Sequence, residues 1–118
     1  IDDIELRNIY QSAKLTIIPL KESLQPSGQS VALQSMACGT PVLITETEGF
    51  WDKENFKDHK NIFFAKNNYL QTWVADIKAI LNLSEVKINE VISNGKETIN
   101  NHYDLDKFSE NIENILIN

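Results

Sequence analysis

The sequence predicts an α/β domain: an open, doubly wound parallel sheet of three strands alternating with helices, with a helical C-terminus. Three observations carry this expectation. Short strand-like runs, KLTIIPL (14–20), β-branched and apolar on both faces, VLIT (42–45) and NIFFA (61–65), punctuate the chain up to residue 65. Segments of helical periodicity or polar character separate them. Beyond residue 70 the apolar pattern follows the helical period alone. Strands separated in this way pair in parallel through right-handed crossovers and are covered on both faces. A chain of 118 residues is long enough for one small domain with its own core.

Taken in order, Leu6, Ile9, Tyr10 and Ala13 fall at helical spacing, and Asp2 with Glu5 resembles a capping box, so the first helix covers about residues 3–13. KLTIIPL follows as a strand that Pro19 ends. A second helix occupies about residues 28–38. Gly39 and Thr40-Pro41 stop it and release VLIT as a buried strand. The polar segment DKENFKDHK introduces the third strand, and Asn67-Asn68 supplies caps for the next helix. Within that helix Leu70, Trp73, Val74, Ile77 and Leu81 recur at core spacing. Ile88, Val91, Ile92 and Ile99 repeat the pattern with Gly95 on the core side, and Leu105, Phe108, Ile112, Ile115 and Leu116 form a last stripe. No repeat, linker or low-complexity segment divides the chain.

Composition excludes several classes of partner. There are 17 acidic and 11 basic residues and no Lys/Arg cluster, which argues against a nucleic-acid or broad anionic-membrane footprint while leaving room for a local phosphate site. The single Cys38 forms no internal disulfide and reads as a small buried hydrophobe in a reducing compartment. No apolar run has transmembrane length and no signal-peptide pattern is present. The sequence opens on Ile1, and Met36 is its only methionine, so it reads as a piece of a longer polypeptide. His59 and His102 have no second ligand at metal-binding spacing and read as solvated; no metal is expected. Glu46 and Glu48 read as a solvated loop, Phe50 and Trp51 as packing beneath it, and Trp73 as core.

Ligands of open α/β sheets bind beyond the carboxyl ends of the strands. The loop 21–28 after the first strand lies at that edge, as does ETEGFWD (46–52) after the second. A helix N-terminus carries unpaired amides and the positive end of the helix dipole, which favour an anion. Gly28 lets a phosphate approach the backbone, and Ser27 and Ser30 add hydroxyl donors. Ser27, Ser30 and Gln34 are spaced i, i+3 and i+7 and so share one helix face. Gln34 sits roughly 6 Å along the axis from Ser30, comparable to the step from a diphosphate to a ribose. The plainer alternative is that Ser27 is an N-cap, Gly28 relieves a tight loop and Gln34 is a solvated surface residue.

The stretch AKLTIIPLKESLQPSGQSVALQSMACGTPVLITETEGF resembles the signature region of the C-terminal domain of GT-B glycosyltransferases of the retaining family 4 kind, with ALQSMACGTPV the most specific part. DKENFKDHKNIFFAKNNYLQTWVADIKAIL and HYDLDKFSENIENIL are similar to later segments of that domain, so the resemblance covers nearly the whole chain. It implies that residues 1–118 are part of a C-terminal nucleotide-sugar-binding domain. The implied activity is transfer of a sugar from a nucleotide-diphosphate sugar to an acceptor, with retention and without a metal or other cofactor. By position, Gly28, Gln29 and Ser30, with Ser27 beside them, fall where the family holds the donor diphosphate. Gln34 falls at the ribose position, where glutamate is usual. The family's other glutamate, near the donor sugar, corresponds to Pro26, which cannot serve; Glu22 in the same loop is the candidate sugar contact.

The resemblance further implies that a sugar or lipid-linked acceptor binds through an N-terminal domain absent from this sequence, and that the chain alone does not turn over. It implies a place in polysaccharide or glycoconjugate synthesis, in the cytoplasm or at the inner face of the membrane. The strand at 15–19 is left with an open edge that upstream residues or a second copy of the chain would cover. Competing readings are a degenerate module that binds nucleotide sugars without transferring them, and an α/β interaction module of receiver or flavodoxin type. A receiver needs clustered carboxylates at the ends of its early strands, whereas these strands end in Pro19-Leu20 and Thr45-Glu46.

Overall fold

The computed structural model describes residues 3–20, 29–47 and 53–102. Its elements are α1 (Asp3–Ser12), β1 (Thr16–Ile18), α2 (Gln29–Ala37), β2 (Val42–Thr45), a 3₁₀ turn (Lys53–Asn55), β3 (Phe63–Ala65), α3 (Leu70–Leu81) and α4 (Glu85–His102). The strands form one parallel sheet in the order β1-β2-β3. Thr16, Ile17 and Ile18 lie opposite Val42, Leu43 and Ile44, and Leu43, Ile44 and Thr45 lie opposite Phe63, Phe64 and Ala65. The expected open parallel α/β sheet of three strands is therefore present.

Alternation along the strands sends side chains to two cores. On one face Ile18, Val42 and Ile44 meet Ala32, Leu33 and Met36 of α2, together with Phe56, Ile62 and Ile99. On the other, Leu43, Phe63 and Ala65 meet Trp73 and Ile80 of α3 and Val91 of α4. All four residues of β2 are buried; Val42, Leu43 and Ile44 are apolar, and the one polar side chain, Thr45, stands at the carboxyl end of the strand. β1 differs. Ile18 is buried against the α2 side, but Ile17 points to the other face and stays 45% exposed. α3 packs on β3 at the far side of the sheet, so β1 is covered on one face and not on both as its sequence suggests.

Gly39 ends α2 with a positive φ of 83°, the left-handed conformation that its place after the helix predicts. Gly95 lets α4 approach closely: a Cβ there would lie 3.4 Å from Met36 Cε and 3.4 Å from Asn61 O. α4 buries Val91, Gly95 and Ile99, as its stripe predicts. α3 does not follow its predicted stripe. Its buried residues are Trp73 and Ile80, with Ile77 packed beside them, while Leu70, Val74 and Leu81 remain exposed. A helix lying on one sheet face needs only a narrow apolar arc, and α3 has more apolar residues than that arc can hold. The capping expectation for Asn67-Asn68 also changes. Tyr69 is the N-cap of α3 and makes no side-chain cap bond; Asn67 Oδ1 accepts from Tyr69 N–H, and Asn68 is used elsewhere. Cys38 is half-buried rather than buried. Asp2 and the stripe at 105–116 lie outside the described residues.

Candidate functional site

Three chain segments leave the carboxyl edge of the sheet: Pro19-Leu20 after β1, Glu46-Thr47 after β2 and Lys66–Asn68 after β3. Side chains tie these exits together. Leu20 N–H donates to Thr45 Oγ1 at 2.9 Å, and the Thr45 hydroxyl donates to Asn68 Oδ1 at 2.8 Å. Asn68 Nδ2 donates back to the Leu20 carbonyl. Trp73 Nε1 donates to Asn68 Oδ1 at 3.2 Å. Glu46 N–H continues the sheet pattern by donating to Ala65 O at 2.8 Å.

At the same edge α2 begins at Gln29, with no acidic residue in its first turn. The first-turn amides have no partner inside the helix, and Ser30 is exposed beside them. Four residues on, Gln34 is only 5% exposed. The polar face expected to run along α2 is open at Ser30 and enclosed at Gln34. The Tyr10 hydroxyl donates to Gln34 Oε1 at 3.3 Å. Burial, and secondarily the nearby Cys38, push the Tyr10 hydroxyl above its usual value of 10.0. Gln34 Oε1 is thus engaged by Tyr10, and any further donation from this side chain comes from Nε2. Ser35, the neighbour of Gln34, is fully buried; its hydroxyl donates to Thr40 O at 3.0 Å and accepts from the Thr16 hydroxyl at 2.8 Å. Thr40 Oγ1 in turn donates to the Tyr10 carbonyl. α1, β1 and the end of α2 are thereby locked around Gln34.

Of the residues the sequence singles out, Ser30 and Gln34 have placed side chains, and Gln29 is placed as the first residue of α2. Glu22, Pro26, Ser27 and Gly28 lie outside the described residues, as do Glu48, Phe50 and Trp51. Sequence spacing gives no sign of the Thr45–Asn68 pair, because 23 residues separate them. His59 and His102 are exposed, and His59 rests edge-on against the Phe63 ring at 5.1 Å. Among the described residues no cluster of three His, Cys, Asp or Glu side chains is able to hold a metal ion, and no helix is long and apolar enough to cross a membrane.

A depression of about 310 Å³ opens at the opposite, amino edge of the sheet, among Lys57, Lys60, Asn61, Asn94, Glu97 and Thr98. Two of its amides are engaged within the fold: Asn94 Nδ2 donates to Lys60 O and Asn61 Nδ2 to Asn55 O and Thr98 Oγ1. The carboxyl edge, where the amino end of α2 lies beside three tied strand exits, is the better candidate.

Ligands of parallel α/β sheets bind at the carboxyl edge, and a helix amino end there favours an anion. Residues 1–83 match the family described as glycosyl transferases group 1, and the chain belongs to that family. Its fold is shared with HepE of Anabaena. The crystal structure of HepE in complex with UDP-glucose, and that in complex with UDP and glucose, each superpose with a TM-score of 0.65 at 20% identity. The complex with UDP gives 0.63 at 18% identity. In each case the match covers 92% of this chain and 28% of HepE, so the chain spans little more than a quarter of that protein's length. No curated protein matches the sequence.

Proposed function

We propose that the intact protein transfers a sugar from a nucleotide-diphosphate sugar to an acceptor, and that this chain is the donor-binding part of its C-terminal domain. The observation that carries this reading is the amino end of α2 opening at the carboxyl edge of the sheet in a chain of the group 1 family. The similar structures hold UDP-glucose and UDP, which supports a nucleoside diphosphate as the shared element of the donor.

In this reading Ser27, Gly28, Gln29 and Ser30 receive the diphosphate, Gln34 donates from Nε2 to the ribose, and Glu22 contacts the donor sugar. Rate enhancement comes from positioning and from stabilising the negative charge that grows on the departing diphosphate, which helix amides meet without reorganising. Transfer is of the retaining, family 4 kind and uses no metal. The acceptor, a sugar or lipid-linked glycan of polysaccharide or glycoconjugate synthesis, binds through a separate N-terminal domain at the cytoplasmic side, and the chain by itself does not turn over. The outer edge of β1 pairs with no strand among the described residues, and in this reading it is the edge through which the isolated chain self-associates, which light scattering tests.

Non-catalytic binding of nucleotide sugars is the second reading, favoured by Pro26 in place of a glutamate and by the enclosure of Gln34. The test is calorimetric titration of the intact protein with UDP and GDP, followed by an assay for release of the diphosphate from the matching sugar donor. Gly28→Val places a branched side chain in the phosphate approach and is expected to abolish nucleotide binding while leaving the melting temperature nearly unchanged. Unaltered affinity in that variant contradicts the diphosphate assignment. Binding without turnover selects the second reading.

A further inference from the structure

Leu20 is the last described residue before the 21–28 segment, and both of its main-chain polar groups are captured by side chains of other elements. Its N–H is held by Thr45 at the end of β2, and its carbonyl by Asn68 beyond β3. Thr45 and Asn68 bond to each other, so the three residues close a ring. The ring has one consistent direction. A hydroxyl that accepts from Leu20 has its own hydrogen left to give, and it gives it to Asn68 Oδ1. That oxygen is also fixed by Trp73 Nε1, which turns the Asn68 amide so that Nδ2 faces the Leu20 carbonyl. An acceptor and a donor on one planar group are required; aspartate has the first and lacks the second.

The side chain of Leu20 packs against the core on the other face of the sheet, the one built on Ala32 and Leu33 of α2. Leu20 thus joins the ring on its main-chain side to the α2 core on its side-chain side. We propose that Thr45 and Asn68 are positioning residues: by fixing where the chain departs from β1 relative to the amino end of α2, they set the affinity of the site for the donor diphosphate. This rests on the nucleotide-sugar reading above. Neither residue needs to touch the donor. Thr45 is 5% exposed and its hydroxyl is spent within the ring, whereas Asn68 is exposed, so its replacement spares the core.

The experiment is titration of the intact protein with UDP and GDP, using whichever the wild type binds, for Thr45→Val, Asn68→Asp and Thr45→Ser, with a thermal melt of each. Thr45→Val keeps the side-chain shape and removes both hydroxyl bonds; Asn68→Asp keeps the acceptor and sets a carboxylate against the Leu20 carbonyl. Each is expected to raise Kd about tenfold, the order expected for one positioned hydrogen bond. Thr45→Ser restores the hydroxyl and is expected to stay within about twofold of wild type. In turnover, the same two variants raise KM for the donor more than they lower kcat. Wild-type affinity in a folded Thr45→Val or in Asn68→Asp overturns the inference, as does a Thr45→Ser variant as weak as valine; a core role alone would lower the melting temperature and leave Kd in place. If Thr45→Val fails to fold, Asn68→Asp decides. Failure of the wild type to bind either nucleotide overturns the functional reading itself and the inference with it.

Discussion

Two asparagines stand at opposite edges of the same sheet and do different work. Asn61, just before β3, is 7% exposed and spends its whole amide on the interior. Its Oδ1 accepts from Lys57 N–H at 2.9 Å, and its Nδ2 donates to Asn55 O at 2.7 Å and Thr98 Oγ1 at 2.9 Å. Asn68, just after β3, is exposed and joins the exits of all three strands. The first knot fastens the 53–61 segment to α4 and closes the core. The second organises the rim where the ligand is proposed to bind. A buried polar network that is fully satisfied contributes rigidity, while one at the edge of a cleft fixes the shape that a ligand meets.

The comparison predicts opposite profiles for the two residues. Asn61→Ala removes three part-buried hydrogen bonds and is expected to destabilise the protein by roughly 1–3 kcal/mol. Thermal or urea unfolding of the intact protein measures this, and the fraction that remains folded is expected to bind nucleotide with wild-type affinity. Asn68→Asp is expected to show the reverse, weakened binding with little loss of stability. A parallel drop in both properties for both variants would erase the distinction.

A smaller effect is expected at Gly39. Alanine there must adopt a positive φ, and its Cβ would lie 2.9 Å from Lys96 Cε; the lysine side chain is able to move, so the backbone conformation decides. Gly39→Ala is expected to cost about 1–2 kcal/mol, read by denaturant titration, with no change in nucleotide affinity. The smallest is a pH effect. Because the Tyr10 hydroxyl is raised above 10.0 by burial and then by Cys38, the folded chain holds that proton more tightly than the unfolded one. The stabilisation is complete below pH 10 and is lost as pH rises through the folded value. Tyr10→Phe is expected to flatten the decline in melting temperature above pH 10.

Much of this fold was legible in the sequence, and the reasons are local. VLIT is apolar up to its last residue because β2 is the central strand, and its limits at Val42 and Thr45 are those of the observed strand. Gly39 marks the end of α2 because the backbone there needs a positive φ. The faces of the helices were less legible. α3 carries apolar residues around more of its circumference than the sheet covers, so spacing alone favoured Leu70, Val74 and Leu81, which stay exposed, over Ile80. Gln34 looks like a surface residue in a spacing argument, yet Tyr10, 24 positions away, encloses it. The ring of Leu20, Thr45 and Asn68 was invisible for the same reason, and Asn68 read as a helix cap. Side-chain bonds between distant elements leave no period in the sequence; they become apparent only when the strand exits are brought to one edge.

The most direct test of the account is amide hydrogen exchange of the intact protein with and without saturating UDP or GDP, whichever binds. Protection is expected across residues 27–34, at the start of α2, and at Leu20, with no change across residues 55–61 at the amino edge. Protection confined to the amino edge, or saturating nucleotide with no protection at the start of α2, would contradict the claim that this helix end receives the donor diphosphate.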